Sequence, residues 1–133
     1  MNAFLFFKNK KNDLQSSFNY WLNEILMNEQ PSEDIIAYNF GIYEVKNGSQ
    51  IYLAGFKEYN PEDEDWATGL GDFQPKNQIF KKLIKDKNWE LIQKKVVELI
   101  NNFLQTSAYE NSFLSKAIAI TTGFDDGNLI KLK

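Results

Sequence analysis

"DIIAYNFGIYEVKNGSQIYLAGFKEY", residues 34–59, is the stretch on which the fold turns. Ile36, Tyr38, Phe40 and Ile42 alternate onto one face, while Ala37, Asn39 and Gly41 make a flatter opposite face. Period-two alternation in a run rich in aromatic and β-branched residues predicts a strand over 34–45. Asn47-Gly48 follows, the strongest short hairpin signal. A type I′ turn needs positive φ at both central positions, and these two residues tolerate it. "QIYLAGFKEY", residues 50–59, then reads as the partner strand.

On the N-terminal side, Leu14, Phe18, Trp21, Leu22, Ile25 and Leu26 recur at three- and four-residue steps, which predicts an amphipathic helix over 13–29. Asn12 or Asp13 can cap its start, and "EQPSED" ends it. "MNAFLFFKNKKND" opens the chain as an N-terminal strand or apolar tuck. It has neither the length nor the cleavage site of a secretory signal. No run approaches the roughly 18 apolar residues of a membrane span, so the expected location is cytoplasmic.

On the C-terminal side, residues 76–105 carry a helical pattern, with "DKN" at 86–88 bending or breaking it and Asn88 available as a cap. Trp89, Ile92, Val96, Leu99, Ile100 and Phe103 form the stripe of its second half. "SFLSKA" adds a turn, and strands near 117–122 and 128–132 close a second hairpin around "GFDDG". The expectation is one α+β domain over residues 1–133, in two layers. An antiparallel sheet of hairpins packs against helices in the order α-β-β-α-α-β-β.

Composition removes whole classes of chemistry. The chain has no Cys and no His, and all its cationic side chains are Lys. Disulfides, thiolate metal sites, the commonest general base and bidentate Arg clamps are therefore unavailable. Net charge is −3, which argues against nucleic acid and anionic membranes as partners. Lys81, Lys82, Lys85, Lys87, Lys94 and Lys95, interleaved with Asp86, Glu90 and Glu98, read as the wet face of a helix.

The chemistry-bearing candidate is "NPEDEDWATGLGDFQPK", residues 60–76. Glu62, Asp63, Glu64 and Asp65 stand in succession, with Asp72 close behind. Such a run repels itself and needs water, a cation or a basic partner. It lacks the ligand spacing of a calcium loop, and consecutive acids do not define a catalytic pair. The commonest use of a charge run is a solvated loop. Trp66 argues for more, because a Trp either anchors such a loop in the core or serves as an interface anchor. Asp125 and Asp126 in "GFDDGN" make a second acidic patch, although Asp-Asp-Gly is also ordinary turn chemistry. Gly69 and Gly71 are not a dinucleotide fingerprint, since no strand precedes them and the third Gly is missing.

"AYNFGIYE", "YLAGFKEYNPEDEDWA" and the late "AIAITTGFDDGNLIKL" together resemble small bacterial immunity proteins of polymorphic or contact-dependent growth inhibition toxin systems. The resemblance covers the middle and the end of the chain. It implies a non-enzymatic protein, without cofactor or metal, that binds and neutralises a cognate toxin domain. Where the toxin is a nuclease, its basic cleft is a natural target for an acidic inhibitor. Glu62, Asp63, Glu64, Asp65, Trp66, Asp72, Asp125 and Asp126 are then the expected partner-binding surface. The alternative is a small enzyme or small-molecule-binding domain with a carboxylate–lysine site.

Overall fold

The computed structural model describes residues 13–133. The expected N-terminal strand or tuck and the Asn12 cap lie outside the described residues. The fold is α+β, with a five-stranded mixed sheet and three α-helices among the described residues.

Helix α1 spans Asp13–Asn28 and buries Phe18, Trp21, Leu22 and Ile25, the expected stripe. Strand β1 (Ala37–Val45) and β2 (Gly48–Phe56) form the expected hairpin. Their register runs from Ala37 opposite Phe56 to Val45 opposite Gly48. The turn itself differs from expectation. Val45 and Gly48 are already paired, so Lys46 and Asn47 are the central residues. Only Asn47 takes positive φ, at 71°. The turn is therefore not a type I′ turn centred on Asn47-Gly48.

The larger correction concerns residues 76–105, whose first half is not helical. Strand β3 spans Ile79–Ile84, and only then does α2 begin, at Trp89–Phe103. Apolar residues at 79, 80, 83 and 84 fit a helical period as well as a bulged strand. The unpaired edge of β2 selects the strand. Leu53 N–H donates to Gln78 O, and Ser49 and Ile51 face Ile84 and Phe80 across an irregular register. Phe80 and Ile84, four residues apart and so on one face of the strand, are both buried. The six lysines accordingly lie on β3, its connection and α2, not on one helical face. Asn88 does cap α2, accepting from Leu91 N–H at 2.9 Å.

A short helix α3 (Ser107–Glu110) and a 3₁₀ turn at Phe113–Lys116 lead into β4 (Ala119–Phe124) and β5 (Ile130–Lys131). β4 and β5 pair antiparallel, as expected of the closing hairpin. β4 also pairs with β1, in parallel, from Ala37–Ala119 to Ile42–Phe124. Sheet order is β3-β2-β1-β4-β5, mixed rather than antiparallel throughout. A parallel neighbour requires a crossover, and the run from β3 through α2 to β4 supplies it.

The faces of the sheet are unlike. Tyr38, Phe40, Ile42, Ile51, Leu53 and Ile120 point to the helices and join their apolar stripes in one core. Phe18 sits at the centre of an aromatic cluster, with ring centroids 5.6 Å from Trp21, 6.0 Å from Phe40 and 5.6 Å from Phe80. The other face carries Tyr52, Ala54 and Phe56, covered by Trp66, Tyr43 and Ile79. No described helix is long and apolar enough to cross a membrane.

Candidate functional site

A pocket of about 760 Å³ opens on the face of the sheet turned away from the helices. Its floor is built from the residues that alternate with the core: Asn39, Tyr43 and Tyr52. Small neighbours make the space. A Cβ on Gly41 would overlap the Tyr52 ring, so glycine there lets the ring lie across β1. One wall is the acidic loop, Glu64–Ala67 and the residues through Leu70; the other is the β4–β5 turn from Phe124 to Leu129.

The Tyr52 hydroxyl donates to Asp125 Oδ1 at 2.6 Å, joining floor to turn. Burial, and then the bond to and charge of Asp125, push the Tyr52 phenol above its ordinary range. Tyr43 is raised too, by burial and then by the Asp125 charge. Both phenols are neutral donors near pH 7 and not bases. Glu64 Oε2 accepts from Leu129 N–H at 3.0 Å and ties the two walls together. Asn39 is 3% exposed, and its Oδ1 accepts from the Thr121 hydroxyl at 2.9 Å.

The eight residues singled out in the sequence separate into groups. Glu64, Asp65, Asp125 and Asp126 converge on the pocket, although some 60 residues divide the two pairs in the chain. Asp63 accepts from Asp65 N–H at 3.0 Å and caps the 3₁₀ turn Glu64–Ala67. Asp72 accepts from Lys57 N–H at 2.9 Å and pins the loop to the end of β2. Glu62 is exposed, its N–H held by the Asn60 side chain at 2.9 Å. Trp66 is half-buried and packs edge-on against Phe56 (5.4 Å) and Tyr59 (5.1 Å). It anchors the loop on the sheet and borders two shallow clefts, one with Asp63 and Asp65 and one with Asp72.

Gly71, at φ 86°, brings the loop back to β2, where a Cβ would stand 2.6 Å from Gly55 O. Gly55 and Phe73 then exchange backbone bonds at 2.9 and 3.0 Å. The glycines of "TGLGD" thus serve loop closure. Among the described residues no three acids are grouped to hold a metal ion. Among the described residues that line the pocket, none is a lysine.

Sequence reasoning missed the floor. Asn39, Tyr43 and Tyr52 read only as strand residues, and the signal was the polar Asn39 beside Gly41 on the flatter face. Comparison with protein-family models, with curated proteins and with solved structures finds no match.

Proposed function

We propose that this chain is an immunity-type binding protein that neutralises a cognate toxin domain by presenting an acidic face to the toxin's basic surface. One observation carries the reading. Four carboxylates from two distant segments, and no lysine among the described residues, line one pocket whose floor carries Tyr43 and Tyr52. Such an arrangement recognises positive charge, steers encounter with a basic partner and rejects acidic ones. Binding of this kind requires no Cys, His or Arg, and no turnover. The same reading takes the sheet and its helices as two layers, with residues 57–78 as a cover on the far face.

The experiment co-expresses the toxin domain encoded next to this gene with wild-type protein or with Asp65→Lys/Asp126→Lys. No hydrogen bond of either side chain helps to hold the fold among the described residues, so the double variant stays folded. Wild type protects, and the variant loses protection while its circular dichroism is unchanged. In purified components, association slows as salt rises, because exposed charges are screened over about 8 Å at physiological ionic strength. Failure of wild type to protect removes the immunity reading. Full protection by the folded variant removes the acidic face from the mechanism.

A second reading, a small-molecule-binding domain, draws on the pocket volume of about 760 Å³. Ligand pockets commonly enclose about 300–1,000 Å³.

A further inference from the structure

We propose that the pocket is a socket for one cationic side chain, an arginine or lysine that a protein partner inserts between the acidic loop and the β4–β5 turn. This rests on the reading of the acidic face as a partner surface and names what enters it. Three independent features converge.

The charge is arranged for a single cation. Asp125 Oδ1 accepts from the Tyr52 hydroxyl, which orients the carboxylate and leaves Oδ2 for a ligand. Glu64 is oriented in the same way by Leu129 N–H. Carboxylates held from behind lose little freedom when a cation arrives, and an ionised partner strengthens each bond.

The stem is provided for as well. Leu70, Ile79 and Tyr43 line the same space, and Leu70 is 54% exposed. An alkyl chain of three or four carbons buries against such residues while its charged end reaches the acids. A bare metal ion or a simple ammonium would leave that apolar lining wet.

The floor holds a polar group whose capacity is only partly used. Asn39 is only 3% exposed, and it stands on the pocket face of β1. Thr121 satisfies one end of its amide, and the amide nitrogen has no partner among the described residues. Turned through 180°, the amide donates to Thr121 Oγ1 and offers its oxygen to the pocket. That oxygen is an acceptor for a guanidinium or ammonium N–H. The end of the amide that Thr121 does not use is left for water or for a group that enters the pocket.

The test titrates the full-length protein with Nα-acetyl-L-arginine amide and Nα-acetyl-L-lysine amide, followed by amide and tyrosine NMR shifts. The uncharged Nα-acetyl-L-citrulline amide is the control for shape. The cationic probes produce saturable shifts centred on Asn39, Tyr52 and Asp125, with dissociation constants in the millimolar range, and citrulline amide does not. Asp125→Asn and Glu64→Gln keep an acceptor for their internal bonds and remove the charge, so they fold; each weakens the probes about tenfold, the loss of one charge-assisted contact. Asp126→Asn, which breaks no internal bond, is the check that the spectra report charge and not misfolding. Absence of saturable shifts, or equal binding of citrulline amide, overturns the socket. Saturation at micromolar concentrations by a free diamine such as putrescine overturns the side-chain source in favour of a small molecule. Cationic probes that bind in the pocket while the protein fails to protect against the toxin would sink the immunity reading alone and leave the socket standing.

Discussion

The two faces of the sheet are made from alternate residues of the same strands, yet they do different things. Tyr38, Phe40 and Ile42 on one side of β1 close a core against α1 and α2. Ala37, Asn39 and Gly41 on the other side are small or polar, and opposite them a pocket remains open. Bulk on the first face contributes burial energy, about 1.5–3 kcal/mol for a fully buried large apolar side chain. Absence of bulk on the second face contributes room. A strand with period-two alternation can thus stabilise the fold with one set of residues and shape a site with the other, and substitutions on the two faces should separate these roles.

The widest separation comes from truncation. Phe40→Ala opens a cavity among Phe18 and the helix stripes and should cost about 3–5 kcal/mol in urea unfolding. Thr121→Ala, on the pocket face, removes one hydroxyl bond to Asn39 and should cost about 1 kcal/mol. Equal losses would break the distinction between the faces.

Gly41→Val probes the opposite error, too much bulk. The new side chain meets the Tyr52 ring, and overpacking costs about 1–3 kcal/mol. Its sharper signature is local: Tyr52 is displaced, its bond to Asp125 is lost, and its phenol titrates closer to the ordinary range. Absorbance at alkaline pH reads this directly.

Alkaline pH tests both faces at once, because Tyr38 lies on the helix side and Tyr52 on the pocket side. Burial pushes both phenols up from the ordinary value of 10.0, and Asp125 adds to the shift at Tyr52. The folded state therefore favours the neutral form. That stability is fully present below pH 10 and is lost as pH rises above it, where the unfolded chain ionises first. Urea midpoints should hold steady to about pH 9 and fall by pH 11. Tyr38→Phe/Tyr52→Phe should flatten the fall, and an unchanged slope would contradict the burial of these hydroxyls.

The smallest effect is at the turn that sets which residues reach which face. A one-residue slip between β1 and β2 would exchange the faces. Asn47 alone takes positive φ there, so Asn47→Gly should change stability by less than about 0.5 kcal/mol. Asn47→Val, β-branched in a left-handed conformation, should cost about 1–2 kcal/mol. A tolerated Val would mean that the turn is not what holds the register.

Most of the elements were legible in local pattern. The α1 stripe, the β1–β2 hairpin, the Asn88 cap and the closing hairpin all follow from spacing and turn chemistry within a few residues. Residues 79–84 were not, because Ile79, Phe80, Leu83 and Ile84 satisfy two periods at once and only the vacant edge of β2 chooses between them. The turn was misassigned by one residue for a related reason: Asn47-Gly48 favours a two-residue turn of its own, but pairing of Val45 with Gly48 moves the centre back to Lys46-Asn47. Of the candidate site, the acids were visible as charge, whereas their separate tasks were not. Asp63 as a cap and Asp72 as a tether are indistinguishable in sequence from Glu64 and Asp125 at a pocket.

By itself, then, the sequence determined the inventory: no Cys, His or Arg, an acidic balance, strands with one bulky and one slight face, and two acidic turns. Local interactions settle these things, since composition and periodicity act within a few residues. The tertiary structure alone decided that β4 runs parallel beside β1 and that Asp125 meets Tyr52 across 73 positions of chain. It also decided that Glu64 reaches Leu129. Such contacts form only when the crossover through α2 brings β4 against β1. Their energy depends on that closure, which no window of sequence contains.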